Sequence, residues 1–202
     1  MAALVERHGP LETLGVGGTP SAGPTGARGR PADLYGALVR AIVGQQLSVL
    51  AARAIFGRLT DRFGGRTPTP EEVLADDPDE LRAAAGLSRA KVTFLRSLAE
   101  HVLDGTLELD RLDRLEDELV ISELVQVKGL GVWSAHMFLI FTLGRPDVLA
   151  VGDLGIRRAI ERNYALAAIP GPVEIEPLAE PWRPWRSAAC RYLWLSLDNA
   201  PI

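Results

Sequence analysis

The 202-residue sequence has one cysteine, two lysines and two methionines, and aromatic residues make up only 6% of it. With Cys190 alone, no internal disulfide and no cysteine-ligated zinc or iron–sulfur site is possible within the chain. No apolar run approaches the roughly 20 residues that a membrane-spanning helix needs. The opening Met1-Ala2-Ala3-Leu4-Val5-Glu6-Arg7 lacks the basic-then-apolar order of a secretory signal. An intracellular chain with no membrane partner is the expectation, placed in the cytoplasm or, in a bacterial host, at the nucleoid.

The composition is 47% hydrophobic and 24% charged, which suits a buried core and excludes disorder of the whole chain. The length allows one domain or two small lobes. The net charge of −4 argues at first against a polyanionic partner. Its distribution changes that reading: residues 71–123 hold 15 acids against six basic residues, whereas residues 1–70 hold eight arginines against four acids. A solvated face is the plain reading of the acidic stretch. It leaves surfaces built from the two chain ends open to a polyanion.

Residues 13–30 contain six glycines, so residues 1–30 are expected to be a flexible or extended lead-in. Gly15-Val16-Gly17-Gly18 lacks the flanking strand and helix of a nucleotide-binding fingerprint. From Pro31 the pattern is helical. Leu34, Leu38 and Ile42 line one face, leading to Gln45 and Gln46. Gly64-Gly65 stops a helix that starts near Val49. Thr69-Pro70-Glu71-Glu72 and Asp77-Pro78-Asp79-Glu80 open two more, and Ser88 opens a longer one. Short helices are expected at 112–115 and 118–127, a buried central helix at 132–143, then helices at 154–164 and 184–197. The fold class is therefore all-α: a two-lobed array of about ten short helices. The middle lobe is expected at about 50–123, and the other lobe at about 31–49 with 124–202.

Two patterns carry chemistry. The first is Val125-Gln126-Val127-Lys128-Gly129-Leu130-Gly131-Val132-Trp133-Ser134, a helix, a turn with glycines two apart, and a second helix. Glycines permit positive φ and close backbone approach, and amides opening the second helix suit a phosphate. The carbonyls of Val125, Val127 and Leu130 are candidates to hold a monovalent cation, Na+ or K+, bridging to that phosphate. Such a grip needs few basic side chains. The second pattern lies 24 residues past Gly129: Val151-Gly152-Asp153-Leu154-Gly155-Ile156-Arg157-Arg158. An aspartate directly before a helix is by itself simply an N-cap.

Together, in this order and at this spacing, the two resemble the helix–hairpin–helix DNA glycosylase superfamily. Ile42-Val43-Gly44-Gln45-Gln46-Leu47-Ser48, Gly86-Leu87-Ser88-Arg89-Ala90-Lys91 and Pro184-Trp185-Arg186-Ser187 followed by Trp194 narrow the resemblance to the 3-methyladenine DNA glycosylase II family. It runs from about residue 31 to 197, and the short segment ahead of it makes a compact form without the extra N-terminal β domain of larger members the expectation. The resemblance implies a monofunctional glycosylase on double-stranded DNA with alkylated bases, acting as a monomer. Lyases of the superfamily carry a lysine where this chain has Trp133, and the single cysteine leaves no iron–sulfur cluster.

The resemblance also implies roles. Asp153 is the catalytic carboxylate. Trp133 and Trp194 line the base pocket, with Met137 facing the same cavity. Gln46, or Gln45, enters the duplex where the base has left, and Lys128, Gly129, Gly131 and Ser134 meet the backbone. No cofactor is required beyond the possible cation. His136 is expected as a core or supporting residue, and Trp182 and Trp185 as core. A hairpin module without catalysis, or a glycosylase for deaminated or oxidised bases, remains an alternative.

Overall fold

Punctuation by glycine, proline and capping residues sets the helix boundaries. The computed structural model describes residues 1–9 and 33–197, and no strand occurs among them. The α-helices are α1 Ala2–His8, α2 Leu34–Gly44, α3 Val49–Arg62, α4 Pro70–Ala75, α5 Pro78–Ala85, α6 Arg89–Leu103, α7 Asp117–Leu124, α8 Val132–Met137, α9 Leu154–Asn163, α10 Pro172–Ala179 and α11 Arg186–Leu195. None is long and apolar enough to cross a membrane.

Local signals account for most of these starts and stops. Asp33 caps α2 by accepting from Gly36 N–H at 2.7 Å. Ser48 and Ser88 cap α3 and α6. At α4, Thr69 Oγ1 accepts from Glu72 N–H while the Glu72 carboxylate accepts from Thr69 N–H, satisfying two amides that the first turn leaves over. Gly64, Gly65 and Gly86 take positive φ where α3 and α5 stop.

The described residues fall into two compact units, 33–135 and 1–9 with 136–197. In the first, α6 packs on α2, α4 and α5. Leu38, Ile42, Leu59, Leu81, Leu95, Leu98 and Leu124 are fully buried there. Truncating one such leucine to alanine costs about 2–5 kcal/mol. In the second, α11 packs on α9 and α1, around Leu139, Ile156, Ile160 and Cys190. Burial pushes the Cys190 thiol up to about 12, so it is an inert packing group.

Several expectations need correction. The sequence pattern places residues 31–49 and 124–135 in the chain-end lobe, but the structure groups those it describes with the middle, because α2 packs directly on α3 and α6. Residues 2–8 of the expected lead-in form α1, with Leu4 buried and Gly9 O accepting from the Tyr192 hydroxyl at 2.9 Å. The Gly15-Val16-Gly17-Gly18 segment and Pro31 lie outside the described residues. The 132–143 helix is not one buried rod. Its first two residues are exposed, and after Met137 it widens into a π-turn over Phe138–Thr142. The helices expected at 112–115 and 118–127 form earlier, as a 3₁₀ turn at Leu109–Arg114 and as α7. The proline-rich stretch holds an unforeseen helix, α10, opened by Pro172 with the Glu174 carboxylate accepting from Gly171 N–H. Trp182 is buried as expected, but Trp185 is 64% exposed at the start of α11.

Candidate active site and nucleic-acid interface

In the unit holding residues 136–197, one carboxylate is held from several sides. Asp153 caps α9, its Oδ1 accepting from Ile156 N–H at 2.8 Å. The same oxygen accepts from Trp194 Nε1–H at 2.9 Å. Trp194 lies on α11, is 2% exposed and stacks on Phe141, with ring centroids 5.7 Å apart and planes at 29°. The π-turn is where Phe141 sits, a type of irregularity that concentrates at functional sites. Gly155 makes room for the arrangement. A Cβ there would stand 3.0 Å from Asp153 Oδ1 and 3.3 Å from Trp194 Cδ1. Burial lowers the His136 pKa and so favours a neutral imidazole.

The loop that delivers Asp153 is fastened to the start of α11. Arg186 donates through Nε to Asp147 Oδ1 at 2.7 Å and through Nη2 to the Asp147 carbonyl at 2.7 Å. Buried Ser187 donates to Arg145 O at 2.6 Å and accepts from Val148 N–H at 2.9 Å. Through these bonds Arg186 and Ser187 fix the backbone a few residues ahead of the carboxylate.

In the other unit, the segment between α7 and α8 is a braced turn. Leu130 N–H donates to Val127 O at 3.0 Å, and Lys128 N–H donates to Ser97 Oγ of α6 at 3.1 Å. Gly129 has φ +90°, and a Cβ there would collide with the Phe94 ring. Glycine is therefore required on two counts. Gly131 differs: a Cβ there would meet nothing within 4 Å. The Lys128 side chain is exposed, Ser134 is half-buried, and Trp133 is 44% exposed in the first turn of α8. Two residues beyond α2 the chain turns back, with exposed Gln46 at φ +57°. For a residue other than glycine that conformation costs about 1–3 kcal/mol. Gln45 Nε2–H donates to Gly129 O at 2.8 Å, and Lys91 Nζ donates to Val43 O at 2.8 Å. Burial lowers the Lys91 pKa.

The sequence profile of the HhH-GPD superfamily base excision DNA repair proteins matches residues 39–184, well over half of the chain. The chain belongs to the HhH-GPD superfamily. It is similar to DNA-3-methyladenine glycosylase 1 of Schizosaccharomyces pombe, at 39% identity over 162 residues, covering 79% of this chain and 71% of the relative. Similarity to DNA-3-methyladenine glycosylase 2 of Escherichia coli is 31% over 173 residues, 80% of this chain and 57% of the relative. The chain thus spans little more than half of that protein's length. Among solved structures, S. pombe 3-methyladenine DNA glycosylase in complex with abasic DNA matches with a TM-score of 0.73 at 38% identity, covering 82% of this chain and 81% of that one. A Bacillus halodurans DNA-3-methyladenine glycosidase matches with a TM-score of 0.73 at 39% identity, covering 81% and 75%.

Within this HhH-GPD chain, the structure brings together Asp153 and Trp194, and separately Gln45 and Gly129. The family resemblance implies Trp194 as a wall of the base pocket. What the structure shows of it is a buried ring whose N–H supports the carboxylate. Sequence reasoning missed Phe141, Gly155, Phe94 and Ser97. Gly155 left a trace, a glycine inside the first turn of an otherwise regular helix. Phe94 and Ser97 left none, because they act across the fold. Among the described residues there is no group of three or more His, Cys, Asp or Glu side chains that could hold a metal ion. The hairpin offers neutral carbonyls instead. Val127 O already accepts from Leu130 N–H, but a carbonyl has a second lone pair. Neutral carbonyls are the kind of donor a monovalent cation accepts, and those of Val125, Val127 and Leu130 are the ones that would hold it.

Proposed function

We propose that this protein is a monofunctional DNA glycosylase that releases alkylated purines, 3-methyl and 7-methyl adducts, from double-stranded DNA in base excision repair. The observation that carries this reading is the Asp153 carboxylate, fixed by Trp194 Nε1–H and Ile156 N–H. Purine alkylation at N3 or N7 places positive charge on the ring and makes the base a good leaving group. As the C1′–N bond breaks, the deoxyribose gains oxocarbenium character. A preorganised carboxylate stabilises that charge and orients or deprotonates the attacking water.

A base inside a duplex must first be flipped out. The exposed indole of Trp133 offers the electron-poor base a π-face, and stacking of this kind is worth roughly 1–3 kcal/mol per base. It reads charge more than hydrogen-bond pattern and so suits a broad lesion range. Lys128, Gly129, Gly131 and Ser134 meet the backbone of the DNA. A Na+ or K+ held by the carbonyls of Val125, Val127 and Leu130 would supply positive charge beside a phosphate. No other cofactor is assigned, the protein acts as a monomer, and its site of action is the cytoplasm or nucleoid.

The test is incubation of the purified protein with methylated DNA and chromatography of what is released. Free 3-methyladenine and 7-methylguanine, with abasic sites left unbroken, are expected. Absence of any free base would make the chain a DNA-binding module. Release confined to deaminated or oxidised DNA would move the substrate class.

A further inference from the structure

Gln46 occupies a β-turn that closes α2, in which Leu47 N–H donates to Gly44 O at 3.2 Å. Gln45 has φ −52° and ψ 131°, and Gln46 has φ +57°. This is a type II turn, whose third position ordinarily calls for glycine. A residue with a side chain persists there only where the surroundings over-determine the backbone. Two donors do so. Lys91 Nζ holds Val43 O, one residue before the turn, and Gln45 Nε2 holds Gly129 O, 84 residues further along the chain. The far end of the second bond is itself fixed, since Gly129 packs against Phe94 and the next amide back binds Ser97. Lys91, Phe94 and Ser97 lie three residues apart along α6, so one helix face braces both turns.

We propose that Gln45 is a positioning residue, a latch that ties the Gln46 turn to the hairpin, so that Gln46, which the family resemblance already implies at the gap left by a flipped base, is held ready for it. The latch makes gripping the backbone and filling the gap one preorganised act. This rests on the glycosylase reading above. An amide already spent on the Gly129 carbonyl is withdrawn from the duplex, whereas Gln46 is exposed.

The test has two arms. The first measures amide hydrogen exchange in the free protein for Gln45→Ala, Gln45→Glu and Gln46→Ala. Glutamate keeps the size of Gln45 but offers the carbonyl no donor. Both Gln45 variants should speed exchange about tenfold at residues 44–47 and 128–131 together, and Gln46→Ala only at 44–47. Unchanged exchange at 128–131 in both Gln45 variants overturns the latch. The second arm compares single-turnover excision of a lesion paired in duplex with excision of the same lesion opposite an abasic site, where extrusion costs little. Gln45→Glu should lose about tenfold or more on the paired lesion and less than about threefold on the unpaired one, since only the former requires a base to be displaced from a pair. Equal losses on both overturn the proposal. If the parent protein releases no base, the glycosylase reading fails, and the exchange arm still decides whether the latch exists.

Discussion

Trp194 Nε1–H donates to Asp153 Oδ1 at 2.9 Å across 41 residues of sequence. The bond joins the last helix to the N-cap of α9, so the position of the proposed catalytic charge depends on two elements. Asp153→Asn is the cleanest probe of it. Asparagine is as good an N-cap as aspartate and retains an oxygen for both donors, so stability should hold while the negative charge is lost. Single-turnover excision should fall by roughly 100-fold or more. Affinity for abasic DNA, measured by fluorescence anisotropy, should stay within about threefold, because the carboxylate is not part of the backbone grip.

Trp194→Phe removes the donor and keeps a ring to stack on Phe141. A hydrogen bond to a charged group is worth about 1.5–3 kcal/mol, which is about ten- to a hundredfold in rate if all of it is lost at the transition state. Because the indole acts through Asp153, adding Trp194→Phe to Asp153→Asn should slow excision little further. Additive losses would mean the two side chains work independently.

Gly155→Ala separates stability from activity. Alanine is favoured over glycine in a helix by up to about 1 kcal/mol, but its Cβ would press on Asp153 Oδ1 and on the Trp194 ring. Thermal unfolding should show a small change of either sign, and the excision rate should fall at least tenfold, of the order expected when a reacting group is displaced by a fraction of an ångström.

The two hairpin glycines should respond in opposite ways. Gly129→Ala meets both a positive φ and the Phe94 ring, and should destabilise the protein by about 1–3 kcal/mol in urea unfolding. Gly131→Ala finds open space and should leave the unfolding curve in place while weakening DNA binding.

The α4 capping box should have an acid signature. Hydrogen bonds from the Arg66 guanidinium and from Thr69 N–H hold the Glu72 carboxyl at about 2, against an ordinary 4.5. A lowered pKa contributes stability above the unfolded value and loses it as pH falls through the folded one. The stability gap between the parent and Glu72→Gln should therefore be constant at neutral pH and close between about pH 4.5 and 2. Denaturant titrations across that range check it.

What the sequence revealed follows the range of the interactions concerned. The caps at Thr69, Asp77 and Ser88 are written within three or four residues, and the hairpin within a dozen, so both could be read directly. The role expected of Asp153 comes from the resemblance of its surroundings, not from its own chemistry, since an N-cap aspartate is common. The contacts that define the site were not legible: Trp194 to Asp153, Gln45 to Gly129, and Phe94 under Gly129 all close long loops. The π-turn was equally hidden, because a single extra residue in a turn leaves the hydrophobic pattern of 132–143 almost unchanged. Trp185 shows the limit from another side, since a large apolar residue expected in the core proved exposed between Arg183 and Arg186.

The scarcity of lysine gains a use once the fold is known. The chain's two lysines serve the two braced turns: Lys91 of α6 ties down Val43, two residues ahead of Gln45, and Lys128 stands beside Gly129. Reductive methylation with isotope-enriched formaldehyde would therefore plant just two side-chain NMR reporters, plus the terminal amine. Titrating in oligonucleotides would then follow the two turns side by side, without the crowding that a lysine-rich repair protein would bring to the spectrum.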